Sequence, residues 1–281
     1  MDENIVELAE VEANGLVNLK RSRHPSNSIL QKRNRSRQAR CRLEKMRLSG
    51  EGSGAGEPVT EDVRAGMRED WNARAKENAE YYVASASKDW DRREFFRSGE
   101  INVANEVMPD MHAICGGQRS PLDLSMLEIG CGVGRMTKMF ARIFGQVTAV
   151  DVSSEMIERA TANLQGLENV SLVLGDGATL SAVPDSSQDF AFSFIVFQHI
   201  PSKEVIASYC REVHRVLKPG SLFKFQVQGG TFERTDGPDT WHGVSISETD
   251  AQRLADDNGF ALERTTGAGT QYFWLWFRKP N

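Results

Sequence analysis

The sequence predicts an α/β fold: a mostly parallel, seven-stranded sheet covered by helices on both faces, with an antiparallel terminal strand and a helical segment in front. Three observations predict it. From about residue 120 onward, short β-branched or aromatic runs alternate with longer amphipathic runs, the pattern of strand–helix units that build parallel sheets. The first apolar run stops at three glycines at alternate positions, Gly130, Gly132 and Gly134, and a helix-like run follows. The tail from Phe260 to Pro280 reads as two strands meeting at Gly267–Gly269, which places an antiparallel strand at the end of the sheet.

Taken in order, residues 67–85 are rich in helix formers and put Trp71, Ala75, Asn78 and Tyr82 on one helical face. Residues 89–114 continue as one or two helices, with a break expected at Ser98-Gly99. Leu122, Leu124, Met126, Leu127 and Ile129 mark the first strand, and 146–151 the second. Residues 153–166 form a helix capped by Ser153 or Ser154 and ended by Gly166. Strands follow at 170–176 and within 189–200, then a helix over 203–220 closed by Pro219-Gly220, a strand at 221–228 and a capped helix at 247–259. The run Tyr272 to Phe277 is apolar at every position, as a strand buried on both faces must be.

The chain of 281 residues carries a net charge of -5, and the charge is unevenly placed. Between Lys20 and Arg47 stand 11 basic residues against one acid, Glu44, so the remainder is strongly acidic. Residues 1–57 read as a disordered arm, basic over 20–48, ending in a Gly/Ser linker at 49–57. Residues 58–119 read as a helical lid and 120–281 as the core domain. The four cysteines form no C-x-x-C pair and the five histidines show no ligand spacing, which argues against a disulfide framework or a metal site and fits a reducing cytoplasm. The acidic N-terminus fits neither a secretory signal nor a transit peptide, and no apolar run reaches membrane-spanning length.

The glycine turn lies where a first strand hands over to its helix, a place that suggests a ligand at the helix N-terminus. A phosphate-binding loop would end in Gly-Lys-Ser/Thr; here the turn ends Gly134-Arg135-Met136, which removes nucleoside triphosphate hydrolysis. A dinucleotide fingerprint starting at Gly130 would need its third glycine at position 135, which is Arg135. The spacing present is E-x-G-x-G-x-G, from Glu128 to Gly134.

That spacing resembles the first motif of the class I S-adenosylmethionine-dependent methyltransferases, whose fold is Rossmann-like. Further landmarks agree in order: Asp151 at the end of the second strand, Asp176-Gly177 after the third, Phe197-Gln198-His199 after the fourth, and a helix ending Lys218-Pro219-Gly220 before the fifth. The resemblance covers roughly residues 120–280 and implies S-adenosylmethionine as cofactor. It implies that the turn residues Glu128, Gly130, Cys131, Gly132 and Gly134 border the methionine part, each glycine leaving volume for the cofactor. Asp151 with Val152 would take the ribose hydroxyls, a carboxylate being suited to accept from a diol. Asp176 with Gly177 would lie at the adenine amine, a plain turn residue being the alternative for Asp176, and Phe197 and Gln198 would line the pocket. His199 is the candidate acid/base, with a turn-capping role as its alternative. Arg135 reads either as a solvated helix residue or as a partner for an acid near the cofactor, and Cys131 as a buried filler rather than a nucleophile.

The tetrapeptide Asp/Asn/Ser-Pro-Pro-aromatic and the Pro-Cys pair of base-methylating enzymes are both missing after the fourth strand. The acceptor expected is therefore a small molecule methylated at O, N or C, with the aromatic residues Tyr82, Trp90, Phe95, Phe96 and Trp241, together with His242, as its pocket. Their alternative is a place in the core. A nucleic-acid or protein acceptor docking through the basic arm is the second reading, and a non-catalytic cofactor-binding protein the third.

Overall fold

A computed structural model describes residues 61–230 and 239–281. The basic arm and the linker lie outside the described residues. The helical segment opens with α1 (Glu61–Val83), α2 (Arg92–Glu106) and the short α3 (Met111–Ile114). The sheet and its helices follow as β1 (Ser125–Ile129), α4 (Thr137–Ile143), β2 (Gln146–Asp151), α5 (Ser154–Asn163), β3 (Val170–Leu174), β4 (Gln188–Ser193), α6 (Lys203–Val216), β5 (Leu217–Val227), α7 (Glu248–Asp257), β6 (Ala261–Thr266) and β7 (Phe273–Arg278).

The seven strands lie in the order β3-β2-β1-β4-β5-β7-β6. β1 to β5 are mutually parallel, and β7 runs antiparallel to both β5 and β6. β7 is therefore not an edge: it has a partner on each side, which is why Phe273 to Phe277 are all buried. Chain order reverses between β1 and β4, and the carboxyl ends of those two strands open a crevice, the place where open α/β sheets bind ligands.

The helix starts obey capping chemistry. Asp91, Ser153, Ser202 and Ser247 each accept backbone N–H bonds at the first turn of their helices, and Ser247 forms a reciprocal box with Asp250. Helix α6 buries Val205, Ile206, Tyr209, Cys210, Val213 and Val216, an apolar stripe at helical spacing laid on the sheet.

Three local expectations are corrected. Ser98-Gly99 does not break the helix, because α2 runs through it; a Cβ at Gly99 would stand 2.4 Å from the Arg135 carbonyl oxygen, so glycine is needed where α2 crosses the turn after β1. The break falls instead at Asn78 within α1, whose backbone leaves the helix and whose side chain accepts from the Tyr81 amide and restarts it. Pro219-Gly220 does not close α6; these residues belong to β5, which begins directly at Leu217, and the Gly220 amide donates to the Lys279 carbonyl. Leu122, taken for the first strand, lies in a 3₁₀ turn and is 65% exposed.

Candidate active site

A solvent-open cavity occupies the crevice above β1 and β4, with about 930 Å³ of empty space when the solvent at its mouth is included. Its polar wall is Glu128, Gly130, Cys131, Gly132, Asp151 and Val152; its apolar wall includes Met67, Trp71, Tyr82, Val83, Ile195, Val196, Ile200 and Tyr209; His199 and Arg135 also face it.

The glycine turn is tied to the next strand. The Gly130 and Cys131 amides both donate to the Val150 carbonyl, at 2.7 and 3.1 Å, and the Gly132 amide donates to Asp151 Oδ2 at 2.8 Å. Asp151 Oδ1 accepts from the Ser153 amide at 2.9 Å. A carboxylate has about four acceptor sites, so these backbone amides do not use them all. Burial raises the Asp151 pKa, and the Ser153, Gly132 and Val152 amides work against that shift. Burial also pushes Glu128 up to about 7, although the Thr137 hydroxyl donates to its Oε2 at 2.6 Å. Glu128 thus ties the first turn of α4 to β1. Cys131 is buried with its thiol pushed well up, as a filler would be.

All three glycines have positive φ, between +54° and +84°, a region that side chains disfavour. What each would strike differs. A Cβ at Gly130 would meet Val196, one at Gly132 would meet Val83, and both contacts lie on the cavity wall. A Cβ at Gly134 would meet Leu164 of the segment after α5 at 2.8 Å, and Gly134 does not line the cavity. The third glycine is required by packing rather than by ligand volume.

His199 is buried at the end of a 3₁₀ turn, with the ring of Trp71 edge-on at 5.4 Å and that of Trp241 at 5.1 Å. Its Nδ1 bonds the Trp241 carbonyl, which can only accept, so Nδ1 carries the proton. Its Nε2 then accepts from the Gln198 amide at 3.1 Å. Gln198 in turn accepts from Gln226 Nε2 at 2.7 Å, and Gln226 Oε1 accepts from the Ile195 amide at 3.1 Å. Burial lowers the His199 pKa to about 4. The unfolded imidazole titrates near 6.5, so the unfolded state binds the extra proton first as pH falls. Stability from this group is present above pH 6.5 and lost toward pH 4. Chemical denaturation of His199→Asn across that window should lose about 3 kcal/mol less than the parent chain; parallel pH profiles would refute the assignment.

Several expected pocket residues stand elsewhere. Phe197 is fully buried among Tyr209, Phe223 and Phe225, in the core. Gln198 supports His199 from behind and does not border the cavity. Trp90, Phe95 and Phe96 do not line the cavity; they pack with Ala75, Ala79, Val133 and Met156 into an apolar cluster behind its wall. His242 is exposed and bonds Asp239, while Trp241 touches the cavity-wall residue Tyr82 edge-on and lies tilted against His199 without lining the cavity. Asp176 and Gly177 lie off the cavity. The Asp176 carboxylate accepts from the Ala178 and Thr179 amides, the Thr179 hydroxyl and Arg64, which together hold its pKa low despite burial. Arg135 is buried, not solvated, and donates to Ser98 and Asn102 of α2.

Residues absent from the sequence expectation include Met67, Ile195, Val196 and Tyr209. Ile195 has φ +55°, rare for a β-branched residue, and nothing in the local sequence signals it. Tyr209 reads as one more member of the α6 stripe, and only the crevice above it gives it a second face.

The sheet order and the glycine turn at the switch point define the class: a Rossmann-like fold of the methyltransferase type. Residues 127–225 match the family described as Methyltransferase domain. It is 32% identical over 103 residues to the 2-methyl-6-phytyl-1,4-hydroquinone methyltransferase of Synechocystis, covering 36% of this chain and 31% of that one. It is 30% identical over 156 residues to the demethylmenaquinone methyltransferase of Staphylococcus aureus, covering 54% and 60%. The chain thus spans about a third of the first of these curated relatives and three fifths of the second. Among solved structures, the magnesium protoporphyrin IX methyltransferase of Synechocystis with bound S-adenosylmethionine superposes with a TM-score of 0.54 at 16% identity, over 80% of this chain and all of that one. The DhpI complex with S-adenosylhomocysteine gives 0.55 at 18%, over 79% and 99%. At such identities these two speak for the fold.

Proposed function

We propose that this chain transfers a methyl group from S-adenosylmethionine to a small-molecule acceptor, at O, N or C, and releases S-adenosylhomocysteine. The observation that carries the reading is the turn itself: amides of Gly130 and Gly132 locked onto β2, with the Asp151 carboxylate beside them facing the cavity. The residues fit the cofactor, because side chains at Gly130 and Gly132 would fill the cradle and Asp151 keeps lone pairs for a diol. When bound, the cofactor supplies a methyl group already activated on a sulfonium.

What remains for the protein is to hold the acceptor in line and exclude water. Trp71, Tyr82, Ile195 and Val196 form an apolar wall suited to an aromatic or lipophilic acceptor. The curated relatives are named for quinone-type acceptors, in keeping with such a wall. His199 acts here as a neutral positioning group, since both ring nitrogens are engaged and its basicity is low. It holds Trp71 and Trp241 about the acceptor side, so the acceptor must be nucleophilic without it. Among the described residues no helix is long and apolar enough to cross a membrane, and Cys115, Cys131 and Cys210 are free and buried, which suits the cytoplasm.

The test is thermal unfolding with S-adenosylmethionine, S-adenosylhomocysteine and NAD in parallel. At 100 times its dissociation constant a ligand adds about 2.7 kcal/mol, several degrees for a domain of this size. Stabilisation by the first two alone is expected. A shift with NAD alone, or none at all, sinks the proposal.

A further inference from the structure

The carboxylate expected at the cofactor's adenine amine is already saturated. An ionised carboxylate offers about four lone-pair sites. Asp176 Oδ1 accepts from the Ala178 amide at 2.9 Å and the Thr179 amide at 2.7 Å; Oδ2 accepts from the Thr179 hydroxyl at 3.0 Å and from Arg64 at 3.1 Å. A purine amine could enter only by displacing one of them.

The displaced group would be a fastening of α1. Arg64 sits on the first turns of that helix and is itself bridged to Glu61 at 2.9 Å. Arg68, one turn on, donates to the Asp176 backbone carbonyl at 3.3 Å and pairs with Glu61 at 2.6 Å. Further along the same helix, Asn72 Oδ1 accepts from the Ser153 hydroxyl at 2.7 Å, and Asp70 accepts from Thr240. Helix α1 is thus pinned to the loops after β3 and β2 and to the segment at Thr240, and between these pins it presents Met67 and Trp71 to the cavity.

Resting on the cofactor reading above, we propose that Asp176 does not read the adenine amine but is a positioning residue that clamps α1 over the nucleoside end through Arg64. Selectivity for a 6-amino over a 6-oxo purine then owes nothing to this carboxylate, and cofactor retention depends on the Arg64–Asp176 pair.

The experiment is calorimetric titration of the full chain, and of Asp176→Asn, Arg64→Met and Arg64→Lys, with S-adenosylhomocysteine and its deaminated analogue S-inosylhomocysteine. A clamp predicts that Asp176→Asn and Arg64→Met weaken both ligands by the same factor, with the adenosyl-to-inosyl ratio unchanged and Arg64→Lys restoring most of the loss. A carboxylate reading the amine predicts the opposite. Asp176→Asn would then collapse the ratio by about ten- to a hundredfold, the worth of a hydrogen bond to a charged group, and Arg64→Met would free a lone pair and tighten the adenosyl ligand. Either of those results overturns the proposal, as does an Arg64→Met chain that binds both ligands as the parent does. If the parent binds neither ligand, the cofactor reading falls first and this inference with it.

Discussion

Asp110→Ala should lower the unfolding free energy by about 3–5 kcal/mol, the cost of leaving a buried charge without its partner. Asp110 Oδ2 accepts from Lys224 Nζ at 3.0 Å and from Trp276 Nε1 at 2.9 Å, and Oδ1 pairs with Arg264 at 3.2 Å. Lys224 is 3% exposed in the middle of β5, its ammonium lying over the rings of Trp274 and Trp276 at 4.7 and 4.6 Å. Without Asp110 that ammonium is left with the Glu106 carbonyl, the Glu106 charge and two aromatic faces. Lys224→Met is expected to cost far less, about 1 kcal/mol, since the apolar stem is replaced by a similar volume and Asp110 retains Arg264 and the indole N–H. Burial already lowers the Lys224 pKa while Asp110 raises it. Removing Asp110 lets it fall further below the unfolded value, so the deficit of Asp110→Ala should narrow as pH rises toward 10. Denaturant unfolding at pH 7 and pH 9.5 measures both effects; equal losses for the two variants would show that the pair is not the source.

The second large effect is at the turn. Gly130→Ala places a methyl group 2.1 Å from Val196 Cγ2 at a φ of +78°. The left-handed backbone costs a side chain about 1–2 kcal/mol, and the overlap adds about 1–3 kcal/mol. Val196 is poorly placed to yield, being next to Ile195, which is itself held at positive φ. The variant should fold with reduced stability and lose the melting-temperature shift that S-adenosylhomocysteine gives the parent chain. Combining it with Val196→Ala should recover the overlap part and leave the backbone part. A double variant no more stable than the sum of the two single losses would rule the Val196 contact out as the cause.

The elements were legible wherever a local rule acts alone. Ser153, Ser202 and Ser247 cap helices because hydroxyl and amide are three residues apart, and Asp151 reaches the Gly132 amide because β1 and β2 are neighbours in both chain and sheet. The all-apolar run in β7 announced a strand with two covered faces. Residues misread from sequence are those whose surroundings come from distant parts of the chain. Gly99 looked like a helix breaker because nothing near it shows that Arg135 crosses there. Trp90, Phe95 and Phe96 looked like pocket walls because an aromatic on a lid helix has the same local signature whether it faces a ligand or a core.

The same division holds for the site. The amino-acid order by itself determined the strand–helix alternation, the glycine turn and the acid that follows it, since these depend on spacing and on backbone freedom at single residues. Tertiary structure decided the rest. It placed the third glycine against Leu164, engaged both nitrogens of His199 through Trp241 and Gln198, and filled the Asp176 carboxylate with Arg64, 112 positions away. Hydrogen-bond saturation and burial are properties of what packs around a group, and no stretch of sequence around the group contains them.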